Sequence, residues 1–198
     1  MIDKTKKKIL VTGAAGFIGS AVAEKLALSN FVVVGIDNLN NYYDPKLKLA
    51  RLKRINSSVK SKNFEFIQMD LIEKKKLNDI FESNTFEYII HLAAQAGVGY
   101  SLINPTQYLE SNIIGFFNLL EIIRLKGKIK HLIYASSSSV YGGCKETPFV
   151  EQLNVDKPLS FYAATKKSNE LMAYTYSHIH KIPLTGVRLF TVYGPWGR

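Results

Sequence analysis

Short runs of apolar residues alternate along this chain with longer segments in which apolar positions recur at helical spacing. Each short run predicts a buried strand, and each longer periodic segment predicts a helix. The predicted strands are residues 9–12, 32–37, 64–70, 88–93, 131–137 and 184–189, and the predicted helices are residues 17–28, 45–55, 73–83, 106–125 and 161–180. Strands separated by helices predict an α/β fold, a doubly wound parallel sheet with helices on both faces.

The length of 198 residues fits one domain with a substantial core. No apolar run approaches the roughly 20 residues of a membrane span, so we expect no membrane contact. The single cysteine, Cys144, cannot form an internal disulfide and has no metal-ligand spacing. These features predict a cytoplasmic protein without a metal site.

The chain is strongly basic, with 26 lysines and arginines against 16 aspartates and glutamates and a formal net charge of +10. A basic chain raises the question of nucleic-acid binding. The basic residues cluster at residues 4–8, 46–54, 74–76 and 124–130, at the ends and on the polar faces of predicted helices. This placement favours solvated helix surfaces over a nucleic-acid site, although a phosphate-bearing ligand would still be attracted.

A glycine-rich turn follows the first predicted strand and opens the first helix, with glycines at positions 13, 16 and 19. Gly13 permits the tight turn, Gly16 lets the backbone approach a pyrophosphate, and Gly19 lets the helix pack close to the sheet. The free N–H groups at the helix start, around Phe17 and Ile18, face the anion. The turn therefore predicts a dinucleotide site, although small residues also serve plain helix–sheet packing.

An acidic residue, Asp37, ends the second predicted strand. A carboxylate at this place accepts hydrogen bonds from the adenosine ribose and repels a 2′-phosphate, which favours NAD over NADP. The alternative is that Asp37 only caps the next turn together with Asn38. Because the turn, the acid and the order of elements agree, we favour dinucleotide binding.

Two further strand ends are candidates for the cofactor site. Asp70 and Leu71 close the third predicted strand, where an adenine could lie. Residues 92–95 lie at the end of the fourth predicted strand and bring mostly small side chains to where a cofactor would approach; they are Leu92, Ala93, Ala94 and Gln95. His91, directly before them, is interpreted as a satisfied core histidine rather than a catalyst.

A group of hydroxyl side chains, residues 136–139, ends the fifth predicted strand, at the edge where doubly wound sheets bind ligands. The next long helix opens with Tyr162 and Lys166, which share a helix face at positions i and i+4. Tyrosine is a poor base at neutral pH, so we expect Lys166 and a positive nicotinamide ring to lower the Tyr162 pKa. Tyr162 can then take a proton from a sugar hydroxyl. A tyrosine and a lysine at this spacing also occur often by chance.

Together these segments resemble the extended short-chain dehydrogenase/reductase superfamily and its NAD-dependent epimerase/dehydratase family, whose cofactor domain is a Rossmann fold. The resemblance covers essentially the whole chain and is nearest to the UDP-glucuronate 4-epimerases. The segments that carry it are the glycine turn and residues 37–44, 91–98, 136–142, 162–167 and 190–198.

This resemblance implies a retained NAD that takes a hydride from sugar C4, giving a 4-keto intermediate that receives the hydride on its other face. It makes Tyr162 the acid/base, Lys166 the group that lowers its pKa and holds the nicotinamide ribose, and Ser137 the donor to the reacting oxygen. It adds Asn38, Asn40, Asn112 and Val192 to the cofactor contacts. It implies substrate contacts at Ser138, Ser139, Thr191 and Arg198.

Two departures from the family pattern bear on the substrate. Gly99 stands where the glucuronate epimerases usually carry an arginine, and the chain stops at Arg198, where family members continue into a substrate-binding region. The alternatives are therefore another UDP-sugar 4-epimerase of the UDP-glucose type, or a truncated NAD-binding protein without catalysis. A 4,6-dehydratase is disfavoured because Ser138 and Ser139 stand where that family has an Asp-Glu pair. The family also implies a homodimer through the two long helices.

Overall fold

The computed structural model describes residues 7–126 and 128–197. Within these ranges six strands form one parallel sheet in the order β3-β2-β1-β4-β5-β6. The strands are β1 (Lys8–Thr12), β2 (Val32–Asp37), β3 (Phe64–Gln68), β4 (Tyr88–His91), β5 (His131–Ser137) and β6 (Leu184–Leu189). This confirms the predicted doubly wound sheet and has the strand order of a Rossmann fold.

The helices that connect the strands follow in chain order. They are α1 (Phe17–Leu28), α2 (Pro45–Ser58), α3 (Lys74–Ser83), α4 (Tyr100–Ile103), α5 (Pro105–Tyr108), α6 (Gly115–Lys126) and α7 (Phe161–His180). Within the part of the chain that the structure describes, no helix is both long enough and apolar enough to cross a membrane.

The core lies in two layers, one on each face of the sheet. Residues of β1, β2, α1 and α2 form one cluster, which includes Val11, Val33 and Ile55. A larger cluster lies under α3, α6 and α7 and includes Phe116 and Leu132. Because both faces carry apolar side chains, the strands are near-continuous apolar runs, as expected for a parallel sheet covered by helices.

The chain reverses its direction of winding at β1, whose neighbours are β2 on one side and β4 on the other. Thr12, at the carboxyl end of β1, is in register with Ile36 of β2 and His91 of β4. Ligands of such sheets bind in the crevice beyond the carboxyl ends of the strands at this switch point. The fold therefore directs the glycine turn and the ends of β2, β4 and β5 toward one crevice.

The predicted single helix over residues 106–125 is interrupted. A wider π-helical turn, Leu109–Ile114, separates α5 from α6 and shifts the face on which each side chain points. The short helix α4 was also not predicted, since four residues carry too little periodicity. Strands β3 and β4 end two residues earlier than predicted, at Gln68 and His91.

Candidate active site

The glycine turn after β1 has a geometry that only glycine can provide. Gly13 has φ +72°, and a Cβ built on it would lie 2.7 Å from the backbone nitrogen of Ala93 and 2.8 Å from the carbonyl carbon of Leu92. A Cβ on Gly19 would overlap the carbonyl oxygen of Gly13, which also accepts a hydrogen bond from the Gly16 N–H at 2.9 Å. The turn is therefore pressed against β4 and α1 at the switch point, as the spacing predicts.

The start of α1 is suited to bind an anion. Gly16 is its N-cap and provides no side-chain cap, and the first turn contains no acidic residue. The first N–H groups of a helix have no intrahelical acceptor, and the helix dipole places partial positive charge there. A phosphate group supplies both the acceptor and the charge that this end of the helix lacks.

The carboxylate of Asp37 is buried and held in place by the backbone. Its Oδ2 accepts from the Ala15 N–H at 3.2 Å and its Oδ1 from the Leu39 N–H at 2.9 Å. The Lys48 ammonium lies 3.8 Å from Oδ1. Asp37 therefore caps the following turn, which was the alternative interpretation, and also faces the crevice at the end of β2.

One cavity of about 870 Å³ occupies the crevice and brings most of the predicted residues together. The predicted residues that line it are Gly13, Gly16, Phe17, Ile18, Gly19, Asp37, Asn38, Asn40, Asp70, Leu71, Leu92, Ala93, Ala94, Gln95, Ser137, Tyr162, Lys166, Thr191 and Val192. Ser138, Ser139 and Asn112 are not in its lining, and Arg198 lies outside the described residues.

Asn112 lies behind the cavity wall rather than in it. Its Nδ2 donates to the Gln95 carbonyl at 3.1 Å and to Thr165 Oγ1 at 3.0 Å, and its Oδ1 accepts from the Gln95 N–H at 2.8 Å. The π-helical turn brings this side chain into the interior, where it is 1 % exposed. In this arrangement Asn112 positions Gln95 and α7.

Tyr162, Ser137 and Lys166 meet at the carboxyl end of β5. The Ser137 Oγ accepts from the Ser139 N–H at 3.1 Å and shares a hydrogen bond with Tyr162, which lowers the Tyr162 pKa. Burial raises that pKa more strongly, so the net shift is upward. The Lys166 ammonium donates to the Ala135 carbonyl at 3.0 Å, and its burial lowers the Lys166 pKa to about 8.

The described residues do not by themselves lower the Tyr162 pKa. The expectation rested on two positive charges, that of Lys166, which shares the helix face with Tyr162, and that of a nicotinamide ring, which belongs to the cofactor. Desolvation of the phenol outweighs the stabilising contacts of the phenolate, and the lysine is anchored on the backbone of β5.

Ser136 has a structural partner that the sequence did not reveal. Its hydroxyl donates to Glu170 of α7 at 2.6 Å, and Glu170 accepts two hydrogen bonds from Arg188 of β6, at 2.9 and 3.0 Å. This network joins β5, β6 and α7 beneath Ser137 and Lys166. It fixes the strand end and the helix from which the reactive side chains project.

His91 is a core histidine, as predicted. It is 3 % exposed, its Nδ1 lies 2.8 Å from Thr12 Oγ1, and its ring stacks on Phe116. Burial and the charge of Lys166 lower the His91 pKa to about 3, so the ring is neutral at physiological pH. His91 thus supports the end of β1 from the core of the sheet.

The basic segment 46–54 contains the main residues that sequence reasoning missed. Solvated helix surfaces were expected there, but Lys48 is 5 % exposed and Arg51 is 0 % exposed. The Lys48 ammonium donates to Asn40 Oδ1 at 2.8 Å and lines the cavity. The expectation is therefore wrong for these two residues, because α2 turns them toward the crevice. Other lining residues that were not singled out include Tyr42, Tyr43, Ser111, Tyr193 and Trp196.

A parallel sheet in this order with a glycine turn after β1 defines a Rossmann-type α/β protein. Within that class, the chain belongs to the family described as GDP-mannose 4,6 dehydratase, whose pattern it matches over residues 10–198. The predicted epimerase/dehydratase relationship is thereby confirmed.

Relatives of the chain include a bacterial and a plant protein. Protein CapI of Staphylococcus aureus is 53% identical over 191 residues, which are 96% of this chain and 56% of that protein. UDP-glucuronate 4-epimerase 1 of Arabidopsis thaliana is 49% identical over 190 residues, 96% of this chain and 43% of that protein. The chain therefore spans about half the length of these relatives.

A similar solved structure is the UDP-glucuronic acid 4-epimerase from Bacillus cereus in complex with UDP-glucuronic acid and NAD. The two chains superpose with a TM-score of 0.86 at 36% sequence identity. The match covers 96% of this chain and 59% of that one.

Proposed function

We propose that this chain is the cofactor-binding and catalytic part of an NAD-dependent nucleotide-sugar epimerase that inverts C4 of UDP-glucuronate. The observation that carries the proposal is the shared cavity: Ser137, Tyr162 and Lys166 line the same space as the glycine turn and Asp37. A general acid/base is thus placed beside a site suited to a dinucleotide. The similarity to UDP-glucuronate 4-epimerases supports the choice of sugar.

The residues present fit a dinucleotide. The glycine turn leaves no room for a side chain at Gly13. The N–H groups at the start of α1 have no side-chain acceptor, and the Asp37 carboxylate is fixed at the end of β2. A bound NAD would supply the acceptor and donor of the C4 hydride. Residues around Gly16 and Phe17 would hold its pyrophosphate, and Asp37 would hold its adenosine ribose.

The side chains at the other end of the cavity would handle the proton of the C4 hydroxyl. Ser137 would hold the sugar oxygen, while Tyr162 would take its proton and return it after the 4-keto sugar has turned over. Because burial raises the Tyr162 pKa, the phenol needs a nearby positive charge before it can act as a base at neutral pH. Lys166 has that charge, and its own pKa of about 8 leaves it protonated at pH 7.

The family also contains dehydratases, and the end of β5 distinguishes the two activities. Ser138 and Ser139 stand where an Asp-Glu pair would supply the acid and base of an elimination. Hydroxyl groups have no proton equilibrium near neutral pH that could replace those carboxyls. The proposed reaction is therefore epimerisation without loss of water.

The test is to incubate the purified chain with NAD and UDP-glucuronate and to separate the nucleotide sugars by chromatography. We expect UDP-galacturonate to appear, and no 4-keto-6-deoxy sugar to form from a GDP-mannose control. UDP-galactose formed from UDP-glucose, with UDP-glucuronate untouched, would instead assign the UDP-glucose type. A folded chain that binds NAD and converts none of these sugars would assign cofactor binding without catalysis.

We further propose a cytoplasmic homodimer in which α6 and α7 pack against their copies. Several apolar residues of these helices pack into the core of their own chain, among them Phe116, Leu120, Met172 and Tyr176. Phe117 and Leu171 remain 38 % and 58 % exposed, which supports an uncovered contact face. Sedimentation equilibrium at micromolar concentration should give twice the chain mass, and a monomer mass would contradict the dimer.

A further inference from the structure

Arg51 of α2 is completely buried, and its guanidinium holds three separate segments of the chain. Its Nη1 donates to the phenolic oxygen of Tyr43 at 2.6 Å and to the carbonyl of Ala15 at 3.2 Å. Its Nη2 and Nε both donate to the carbonyl of Trp196, at 2.6 and 3.2 Å. A planar guanidinium can donate to three segments at once because its N–H groups point in fixed directions within one plane.

The three acceptors belong to walls of the same cavity. Ala15 lies in the glycine turn, and Tyr43 and Trp196 both line the cavity. Residues 193–197 pass over the start of α1, where a Cβ built on Gly197 would lie 3.5 Å from the Phe17 ring. We call residues 193–197 the strap, since they cover the end of the cavity suited to the pyrophosphate.

The strap is held in a conformation that it would not adopt alone. Trp196 has φ +68°, a left-handed conformation that is costly for a bulky residue. Two contacts with α2 oppose this cost: the paired bonds from Arg51 to the Trp196 carbonyl, and the Arg54 guanidinium 5.2 Å from the indole centroid. Arg54 is in turn paired with Glu24 of α1 at 2.7 Å. Without Arg51, the strap is expected to leave the start of α1.

The charge of Arg51 points to an anionic ligand. Its three acceptors are neutral, and among the described residues no carboxylate forms an ion pair with it. A buried charge without a counter-ion is costly, and the anion expected at the start of α1 is the group that would offset this cost. A pyrophosphate bound there would be stabilised by the positive charge of Arg51.

We propose that Arg51 is a positioning residue for dinucleotide retention, which fastens the strap over the pyrophosphate end of the cavity and slows release of the cofactor. The inference rests on the proposed dinucleotide site and extends it to a residue outside the glycine turn. Arg51 acts through Ala15 and Trp196, and it has no part in the proton transfer at Tyr162.

The test compares Arg51→Lys and Arg51→Gln with Lys53→Gln, a matched change at an exposed position of the same helix. The release of bound NADH, chased with excess NAD, is followed by fluorescence in stopped flow. Loss of a charge-assisted contact predicts release about tenfold faster for Arg51→Gln. Arg51→Lys should release NADH faster than the unaltered chain, because an ammonium cannot reproduce the planar set of hydrogen bonds that the guanidinium donates to Ala15, Tyr43 and Trp196. Lys53→Gln should match the unaltered chain.

Hydrogen exchange of residues 190–197 provides a second measurement that does not require NADH. It should be faster in Arg51→Lys than in the unaltered chain, while peptides from β1 and β4 exchange as before. Equal NADH release and equal exchange at residues 190–197 in the two chains would overturn the inference. If the unaltered chain binds no NADH, the proposed cofactor site fails, and the exchange comparison still decides whether Arg51 fastens the strap.

Discussion

Replacing Tyr162 with phenylalanine is expected to lower the turnover of UDP-glucuronate by about two to four orders of magnitude. The substitution removes one oxygen atom and leaves the ring, so the packing of α7 is retained. Ser137 and Lys166 are not expected to replace the phenol, because a serine hydroxyl has no proton equilibrium near neutral pH and the Lys166 ammonium is bound to the Ala135 carbonyl. The measurement is the rate of UDP-galacturonate formation, with NAD affinity determined in parallel.

The matched control is Tyr174→Phe, at a tyrosine on the same helix that is 72 % exposed and is not part of the cavity lining. It should leave both turnover and NAD affinity unchanged. If Tyr162→Phe loses turnover and NAD affinity together, the phenol serves binding rather than proton transfer. Turnover within about threefold of the unaltered chain would remove Tyr162 from the mechanism, since a lost acid/base costs far more than that.

The cofactor side of the site was predictable because its rules act on the backbone. A tight turn, a close approach and a helix start each require glycine or a free N–H, and Gly13, Gly16 and Gly19 carry this requirement in their spacing. Asp37 was found for a similar reason, since the end of the second strand is fixed by element order. Such features depend on local geometry and on topology, and little on the packing of distant side chains.

The features that could not be predicted depend on contacts between distant parts of the chain. Lys48 and Arg51 have the sequence appearance of a solvated basic helix, yet the fold turns them toward acceptors as far away as Trp196. The π-helical turn changes the direction of Asn112 without any break in the apolar pattern. The Tyr162 pKa was predicted from the charges of Lys166 and a nicotinamide ring, whereas among the described residues burial of the phenol decides the direction of the shift.

Gly13→Ala is expected to damage both the stability of the chain and its cofactor site. Alanine is strained at φ +72°, and the added methyl carbon would lie 2.7 Å from the Ala93 nitrogen, which belongs to the backbone and cannot turn aside. Both effects oppose folding, and together they predict a loss of at least about 2 kcal/mol in the free energy of unfolding. Separation of the glycine turn from β4 should also lower NAD affinity.

The measurement is urea unfolding of Gly13→Ala beside Gly143→Ala, where a Cβ meets only the Leu159 side chain at an ordinary 3.5 Å. The control should change the free energy of unfolding by less than about 0.5 kcal/mol, as surface substitutions usually do. Saturating NAD should recover less stability in Gly13→Ala than in the control, because ligand stabilisation scales with affinity for the folded state.

Unchanged stability with weaker NAD binding would mean that the backbone after β4 moves to accommodate the methyl group, and that Gly13 is needed only for ligand binding. A loss of stability with unchanged NAD affinity would mean that the glycine turn is not part of the dinucleotide site.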